Sequence, residues 1–203
     1  MSEDIKFMKG TTTLGIVAKD GIVLAADMKA SMGNFVADTS ASKIYTINDH
    51  IALTLAGSQG DALTLIRHLR NNANLYELEH KRPLSTKSCV ALLTGILNSN
   101  KFRPFYTQFI IGGTDGELHS LDMVGGSSKT NSFAVSGSGS ELAISVLDNK
   151  YTPNITVKDA ISLAKEGISA AKKRDIYSGG DGINIFVIKN DSIEELPISK
   201  YKE

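Results

Sequence analysis

The order in which strand-like and helix-like patterns succeed one another constrains this chain most. Thr12 to Ala18 alternates, turns at Lys19-Asp20-Gly21 and returns as Ile22 to Ala26, a nearly unbroken apolar run ending at Asp27. This predicts a hairpin whose turn uses the glycine. A looser stretch through Asn34 leads to a second hairpin, Lys43 to Ile47 and Ile51 to Leu55, around Asn48-Asp49. Helical spacing follows: Ser58 stands three residues before Asp61 in a capping pattern, and Ala62, Leu65, Ile66 and Leu69 share a face. Pro83 stops that helix, and Ser85 or Thr86 caps another with Cys89, Leu92, Leu93 and Ile96 on its apolar side. A third hairpin, Phe109 to Ile111 with Leu118 to Met123, and a strand from Ser132 to Ser136 precede the break at Gly137-Ser138-Gly139-Ser140. Two more helices run over Glu141 to Leu147 and, from a Thr156 cap, along Val157, Ala160, Ile161, Ala164, Ile168 and Ala171 to Arg174-Asp175. The turn Ser178 to Gly182 leads into a last strand, Ile183 to Ile188, and the polar tail from Asn190 reads as an edge or loose end. Hairpins separated by helix pairs exclude alternating βαβ units. They predict an α+β fold, a four-layer αββα sandwich of two antiparallel sheets flanked by helices.

Size and charge narrow the function. A chain of 203 residues, 41% hydrophobic, buries one sizeable core, and no shift in composition marks a second domain. Lys and Arg number 22 and Asp and Glu 22, so no net field draws nucleic acid or an anionic membrane surface. No apolar run approaches the ~18 residues of a membrane helix. The first ten residues carry Glu3, Asp4, Lys6 and Lys9 where a signal peptide would be apolar, so the expected location is the cytoplasm. The single cysteine, Cys89, has no internal disulfide partner and falls at a predicted core position.

Several motifs fail on spacing. Gly125-Gly126-Ser127-Ser128-Lys129-Thr130 lacks the glycine before lysine that a phosphate loop needs. Gly137-Ser138-Gly139 would need a third glycine at Leu142 to open a dinucleotide fingerprint. Neither Ser138 nor Ser140 lies in a nucleophile elbow, and His50, His68, His80 and His119 are scattered without metal-ligand spacing. No cofactor and no metal is expected. What remains is Lys9-Gly10-Thr11-Thr12-Thr13. Threonines suit a strand, and the triplet taken alone reads as the start of one. If the chain is cut after Gly10, however, Thr11 carries both a hydroxyl and an α-amine, whose pKa near ~8 suits it to take the hydroxyl's proton.

Polar residues fall where strands and turns end: Asp27, Lys43, Ser138, Asp175 and Ser178. With Gly10-Thr11-Thr12-Thr13, the strand Gly21 to Asp27, Ala56-Gly57-Ser58-Gln59-Gly60-Asp61-Ala62, Gly137-Ser138-Gly139-Ser140 and Arg174-Asp175-Ile176-Tyr177-Ser178-Gly179-Gly180, the chain resembles the β subunit of the archaeal-type 20S proteasome, an N-terminal nucleophile hydrolase, over nearly its whole length.

The resemblance implies a threonine endopeptidase acting on unfolded polypeptide. Residues 1–10 would be a propeptide removed by autocleavage of Gly10-Thr11, and 11–203 a single protease domain. Thr11 would be the nucleophile, Lys43 a cation beside it and Asp27 the partner of Lys43. The Gly57 N–H would line an oxyanion hole, and Ser138, Asp175 and Ser178 would orient the α-amine. A substrate pocket is assigned to Ala30, Ala41, Tyr45, Leu55, Gln59 and Leu63, favouring large apolar residues before the scissile bond. The implied partners are other β subunits in heptameric rings, α-subunit rings and, through them, a regulatory ATPase. Two positions depart from the family pattern: Met28-Lys29 stands where arginines are common, and Gln59 where a small apolar residue is usual. Two readings compete. One is the related bacterial ATP-dependent protease subunit, disfavoured by Arg174-Asp175-x-x-Ser178-Gly179-Gly180; the other is a silent ring subunit, which would be free to lose Thr11, Lys43 or Asp175.

Overall fold

The computed structural model describes residues 10–198. The strands are β1 (Thr12–Ala18), β2 (Gly21–Asp27), β3 (Ala30–Met32), β4 (Phe35–Asp38), β5 (Ile44–Asn48), β6 (Ile51–Gly57), β7 (Thr107–Gly113), β8 (Leu118–Leu121), β9 (Ser127–Thr130), β10 (Phe133–Gly137), β11 (Ile183–Lys189) and β12 (Ser192–Glu195). The helices are α1 (Gln59–His80), α2 (Thr86–Ser99), α3 (Ser140–Lys150) and α4 (Val157–Arg174). One sheet has the order β10-β1-β2-β11-β12, the other β5-β6-β7-β8-β9, both antiparallel, and β3-β4 forms a separate hairpin.

Strand periodicity divides the core into three layers. Leu14 and Ile16 of β1, with Val23 and Ala25 of β2, face α3 and α4, where they meet Ala143, Leu147, Ala164 and Ile168. Leu53 and Leu55 of β6 face α1 and α2, packing with Leu65, Leu69, Leu93 and Leu97. Between the sheets Ile22, Leu24, Ile110, Leu118, Phe186 and Ile188 close the central layer. Each such side chain, fully buried, contributes about 1.5–3 kcal/mol. The central layer is tight at β1: a Cβ on Gly15 would lie 2.9 Å from Leu118 and 3.0 Å from Ile110.

The αββα sandwich expected from the pattern is therefore the fold. The caps also stand where the sequence places them. Ser58 accepts from the Asp61 N–H, Ser85 from that of Ser88, and Thr156 from that of Asp159. Two features differ from the sequence reading. The stretch through Asn34 contains the β3-β4 hairpin, and Ser127 to Thr130 is the polar edge strand β9. Cys89 is fully buried, as its helical position predicts, and burial pushes its thiol up to about 12.

Candidate active site

The polar cluster forms at one end of the sandwich, because three strands deliver their last or first residues there. Asp27 ends β2, Gly57 ends β6, and Thr11 stands just before β1. Asp27 is fully buried, yet its carboxylate accepts five hydrogen bonds. Oδ1 takes the Thr11 hydroxyl at 2.7 Å, the Thr12 N–H at 2.9 Å and Lys43 Nζ at 2.7 Å. Oδ2 takes the N–H groups of Gly179 at 2.8 Å and Lys29 at 3.2 Å. A buried charge is tolerated only when so compensated. Lys43 is itself only 6% exposed. Burial lowers its pKa, and the attraction of Asp27 opposes that shift. Lys43 thus meets the Thr11 hydroxyl at a shared carboxylate oxygen.

A second chain of hydroxyls approaches Thr11 from the α4 side. The Thr11 N–H donates to Ser138 Oγ at 3.3 Å. Ser138 Oγ lies 2.5 Å from Asp175 Oδ2, to which the Ser178 hydroxyl donates at 2.6 Å. Ser178 Oγ in turn lies 2.6 Å from Thr12 Oγ1. Asp175 is the C-cap of α4, with its own N–H donating to the Ala171 carbonyl, so the end of that helix fixes where the carboxylate stands. Gly137, just before Ser138, has φ of +94°, and a Cβ there would fall against the Thr11 carbonyl and 2.9 Å from Thr11 Cγ2. Only glycine lets β10 pass this close to Thr11.

Thr11 opens on a cavity of about 190 Å³. Its walls include Gly10, Lys43 and Gly57, together with Ala30, Ala41, Leu55 and Gln59. Tyr45 and Leu63, predicted to share these walls, are not among the lining residues and pack partly buried against the core beneath α1 and α2. The Tyr45 hydroxyl donates to the Ser42 carbonyl. Ser31, Ser42 and Tyr106 line the cavity without having been singled out from sequence; Lys29, noted there where the family has arginine, and Ser58, noted as a helix cap, line it too. Tyr106 follows an irregular segment whose residues carry no periodic signal. Gly57 has φ of +121°, and a Cβ there would collide with the Tyr106 carbonyl and approach the Thr107 Cα to 3.0 Å, so its backbone lies bare at the cavity floor.

Lys29 Nζ donates to the Ile176 carbonyl at 2.6 Å, and a Cβ on Gly179 would lie 2.9 Å from Lys29 Cδ. A single-point cation therefore ties β2 to the loop bearing Asp175 and Ser178. Among the described residues no group of three or more His, Cys, Asp or Glu could hold a metal ion. None of the described helices is long and apolar enough to cross a membrane. The site is a buried hydroxyl held by a carboxylate and a lysine beside an exposed glycine backbone, an arrangement suited to acyl transfer.

Comparison with known proteins points the same way. Residues 7–188 match the family described as Proteasome subunit. The chain is 44% identical to Proteasome subunit beta of Methanococcus aeolicus, covering 97% of this chain and 96% of that protein. It is 44% identical to Proteasome subunit beta of Methanocaldococcus fervens, covering 92% and 85%, and to Proteasome subunit beta 1 of Thermococcus sibiricus, covering 93% and 91%. With the family pattern spanning nearly the whole chain and β-subunit relatives at this identity, the chain belongs to the proteasome subunit family as an archaeal-type 20S β subunit.

Proposed function

We propose that this β subunit is a threonine endopeptidase that creates its own nucleophile. The observation carrying this reading is the buried link from the Thr11 hydroxyl through Asp27 to Lys43 on the wall of a cavity that also exposes Gly57. While Thr11 is tied to Gly10 its nitrogen is an amide and cannot serve as a base. In the first turnover Thr11 Oγ attacks the Gly10 carbonyl carbon, its proton passes to the hydrogen-bonded surroundings, and the carbon–nitrogen bond breaks as the nitrogen gains a proton. Gly10 is then held as an ester on Thr11. Water hydrolyses it, leaving a Gly10 carboxylate and the free Thr11 hydroxyl and amine. Residues 1–10 are on this reading a propeptide and 11–203 the protease; 1–9 and 199–203 lie outside the described residues.

In later turnovers the α-amine, oriented by Ser138 and through it by Asp175 and Ser178, takes the Thr11 proton as the hydroxyl attacks a peptide carbonyl. Lys43 favours the developing oxyanion, and the Gly57 N–H receives charge on the former carbonyl oxygen. Walls of Ala30, Ala41 and Leu55, with Lys29 and Lys43 nearby, favour apolar over basic residues before the scissile bond. The same reading places the subunit in heptameric β rings between α rings, fed with unfolded chains by an ATPase in the cytoplasm.

Intact mass of assembled particles tests it. The expected mature chain begins at Thr11, Thr11→Ala retains 1–10 and hydrolyses no peptide, and Lys43→Ala assembles but fails at both reactions. Normal processing of Thr11→Ala, with no other active β subunit present, would overturn it.

A further inference from the structure

We propose that Thr13 is a positioning residue: its hydroxyl clasps Thr54 and Ser136, fixing the nucleophile strand against the strands that carry Gly57 and Ser138. The proposal rests on the reading of Thr11 as nucleophile.

Side chains alternate along β1, so that Leu14 and Ile16 face the α3-α4 layer while Thr13 faces the opposite sheet. Thr13 Oγ1 lies 2.8 Å from Thr54 Oγ1 on β6 and 2.8 Å from Ser136 Oγ on β10. Thr13 and Thr54 are fully buried. Thr13 also pairs with Ser136 in the β1-β10 register, whereas Thr54 belongs to the other sheet. The hydroxyl cluster is therefore a polar bridge between two sheets that also share a layer of aliphatic and aromatic side chains.

Its position is what gives it a role. Thr13 is two residues from Thr11, Ser136 two from Ser138, and Thr54 three from Gly57. A slip of β6 against β1 would move the oxyanion donor relative to the attacking oxygen, and acyl transfer is sensitive to such shifts. Apolar burial is non-directional, whereas a hydroxyl bond near 2.8 Å ties one particular residue of each sheet to the other. Each hydroxyl has one proton and two lone pairs, so Thr13 donates to at most one of its neighbours and accepts from the other, linking three strands. Stability does not explain the cluster, because replacing both partners of a buried hydrogen bond by apolar groups of the same shape is nearly neutral. Valine would fill these sites as well as threonine does.

The test compares assembled particles carrying Thr13→Val, Thr54→Val, both together, and Thr13→Ser, using a fluorogenic peptide and thermal unfolding. Displacement by a fraction of the ~1 Å that costs ~100-fold should lower kcat about tenfold with KM little changed. The double variant should be no worse than Thr13→Val alone, since that change already removes the bond to Thr54 along with the one to Ser136. Its unfolding temperature should match the parent's, and Thr13→Ser, which keeps the hydroxyl, should restore kcat. Unchanged kcat in the double variant overturns the clasp, as does a loss that Thr13→Ser fails to recover. If the valine variants do not assemble, Ser136→Ala replaces them, and an unaltered kcat there is equally fatal. Thr11→Ala in the same assay separates the two readings: activity surviving it sinks the nucleophile assignment, whereas a dead Thr11→Ala beside a fully active Thr13→Val sinks only the clasp.

Discussion

Replacing Gly10 by alanine should stall self-processing, for a reason visible around the residue that precedes the scissile bond. A Cβ placed on Gly10 would lie 3.0 Å from Tyr177 Cγ and 3.1 Å from the Tyr177 carbonyl oxygen, and closer still to Tyr177 Cβ. Carbon atoms prefer separations of about 3.5–4.0 Å, so either Gly10 or the Tyr177 loop must retreat by roughly 1 Å. The loop is poorly placed to yield. Asp175 and Ser178 on either side of Tyr177 are hydrogen-bonded to Ser138 and Thr12, and the Gly179 N–H is bonded to Asp27. The shift therefore falls on the carbonyl that Thr11 must attack, and misplacement by about 1 Å costs about 100-fold in rate. The assay is intact mass of assembled particles sampled over time after synthesis. Gly10→Ala should leave most chains uncut while the parent is fully processed, and adding Tyr177→Gly should return part of the lost rate by removing Cβ and the ring. Once mature, the Gly10→Ala enzyme has lost residue 10, so its peptidase rate per mature chain should equal the parent's. Processing of Gly10→Ala at the parent's speed would refute the steric argument.

Three further outcomes follow from the same geometry. Asp27→Asn strands Lys43 without its counter-ion and turns one acceptor of five donors into a donor, so it should destabilise the subunit by about 3–5 kcal/mol in urea unfolding and abolish hydrolysis. Burial lowers the Lys43 pKa, so between that lowered value and the ordinary lysine value of 10.5 the unfolded chain binds more protons than the folded one; stability should rise with pH across this window, and urea midpoints of Lys43→Met should lack that rise. The Cys89 thiol, buried and raised to about 12, should resist a thiol-labelling reagent in the native protein and react only on unfolding.

How much of this could be read from sequence depends on what each residue contributes. The four helices and the long strands were legible because their apolar residues recur at 3.6 or 2, and because Ser58, Ser85 and Thr156 mark helix starts. The β3-β4 hairpin was not: its strands are three and four residues long, and Met32, Phe35 and Val36 are exposed, so no alternation betrays a buried face. Strand β9 is polar throughout because it is a sheet edge. Asp27, Lys43 and Gly57 could be found as polar or glycine interruptions at strand ends. Of the six residues assigned to the pocket, four line the cavity beside Thr11. Ala30, Ala41, Leu55 and Gln59 reach the cavity, whereas Tyr45 and Leu63 pack partly buried against the core beneath the helices. Linear spacing does not encode which way those two side chains lie. Lys29 stood out only as a lysine where the family has arginine; its contacts, the backbone N–H to Asp27 and the side chain to the Ile176 carbonyl across the chain, are not encoded in linear spacing.

The placement of Asp27 and Lys43 also says where the molecule gives up stability. An ion pair with the carboxylate fully buried and the lysine 6% exposed is an expensive object, often less stable than apolar residues of the same volume. Here it sits at the end of β2, flanked in the sheet by β1 and β11, where the surrounding aliphatic layers can absorb the cost. Two of the carboxylate's donors, the N–H groups of Thr12 and Gly179, come from the segments that also carry Thr11 and Ser178. Asp27 is thus the point at which the segment of Thr11 and Thr12, the lysine and the loop after α4 are held in common. A fold selected for stability alone would fill this place with leucine. Keeping a charge pair there is intelligible if the Thr11 hydroxyl must be held beside a cation and away from bulk water, which is the condition that peptide-bond attack imposes.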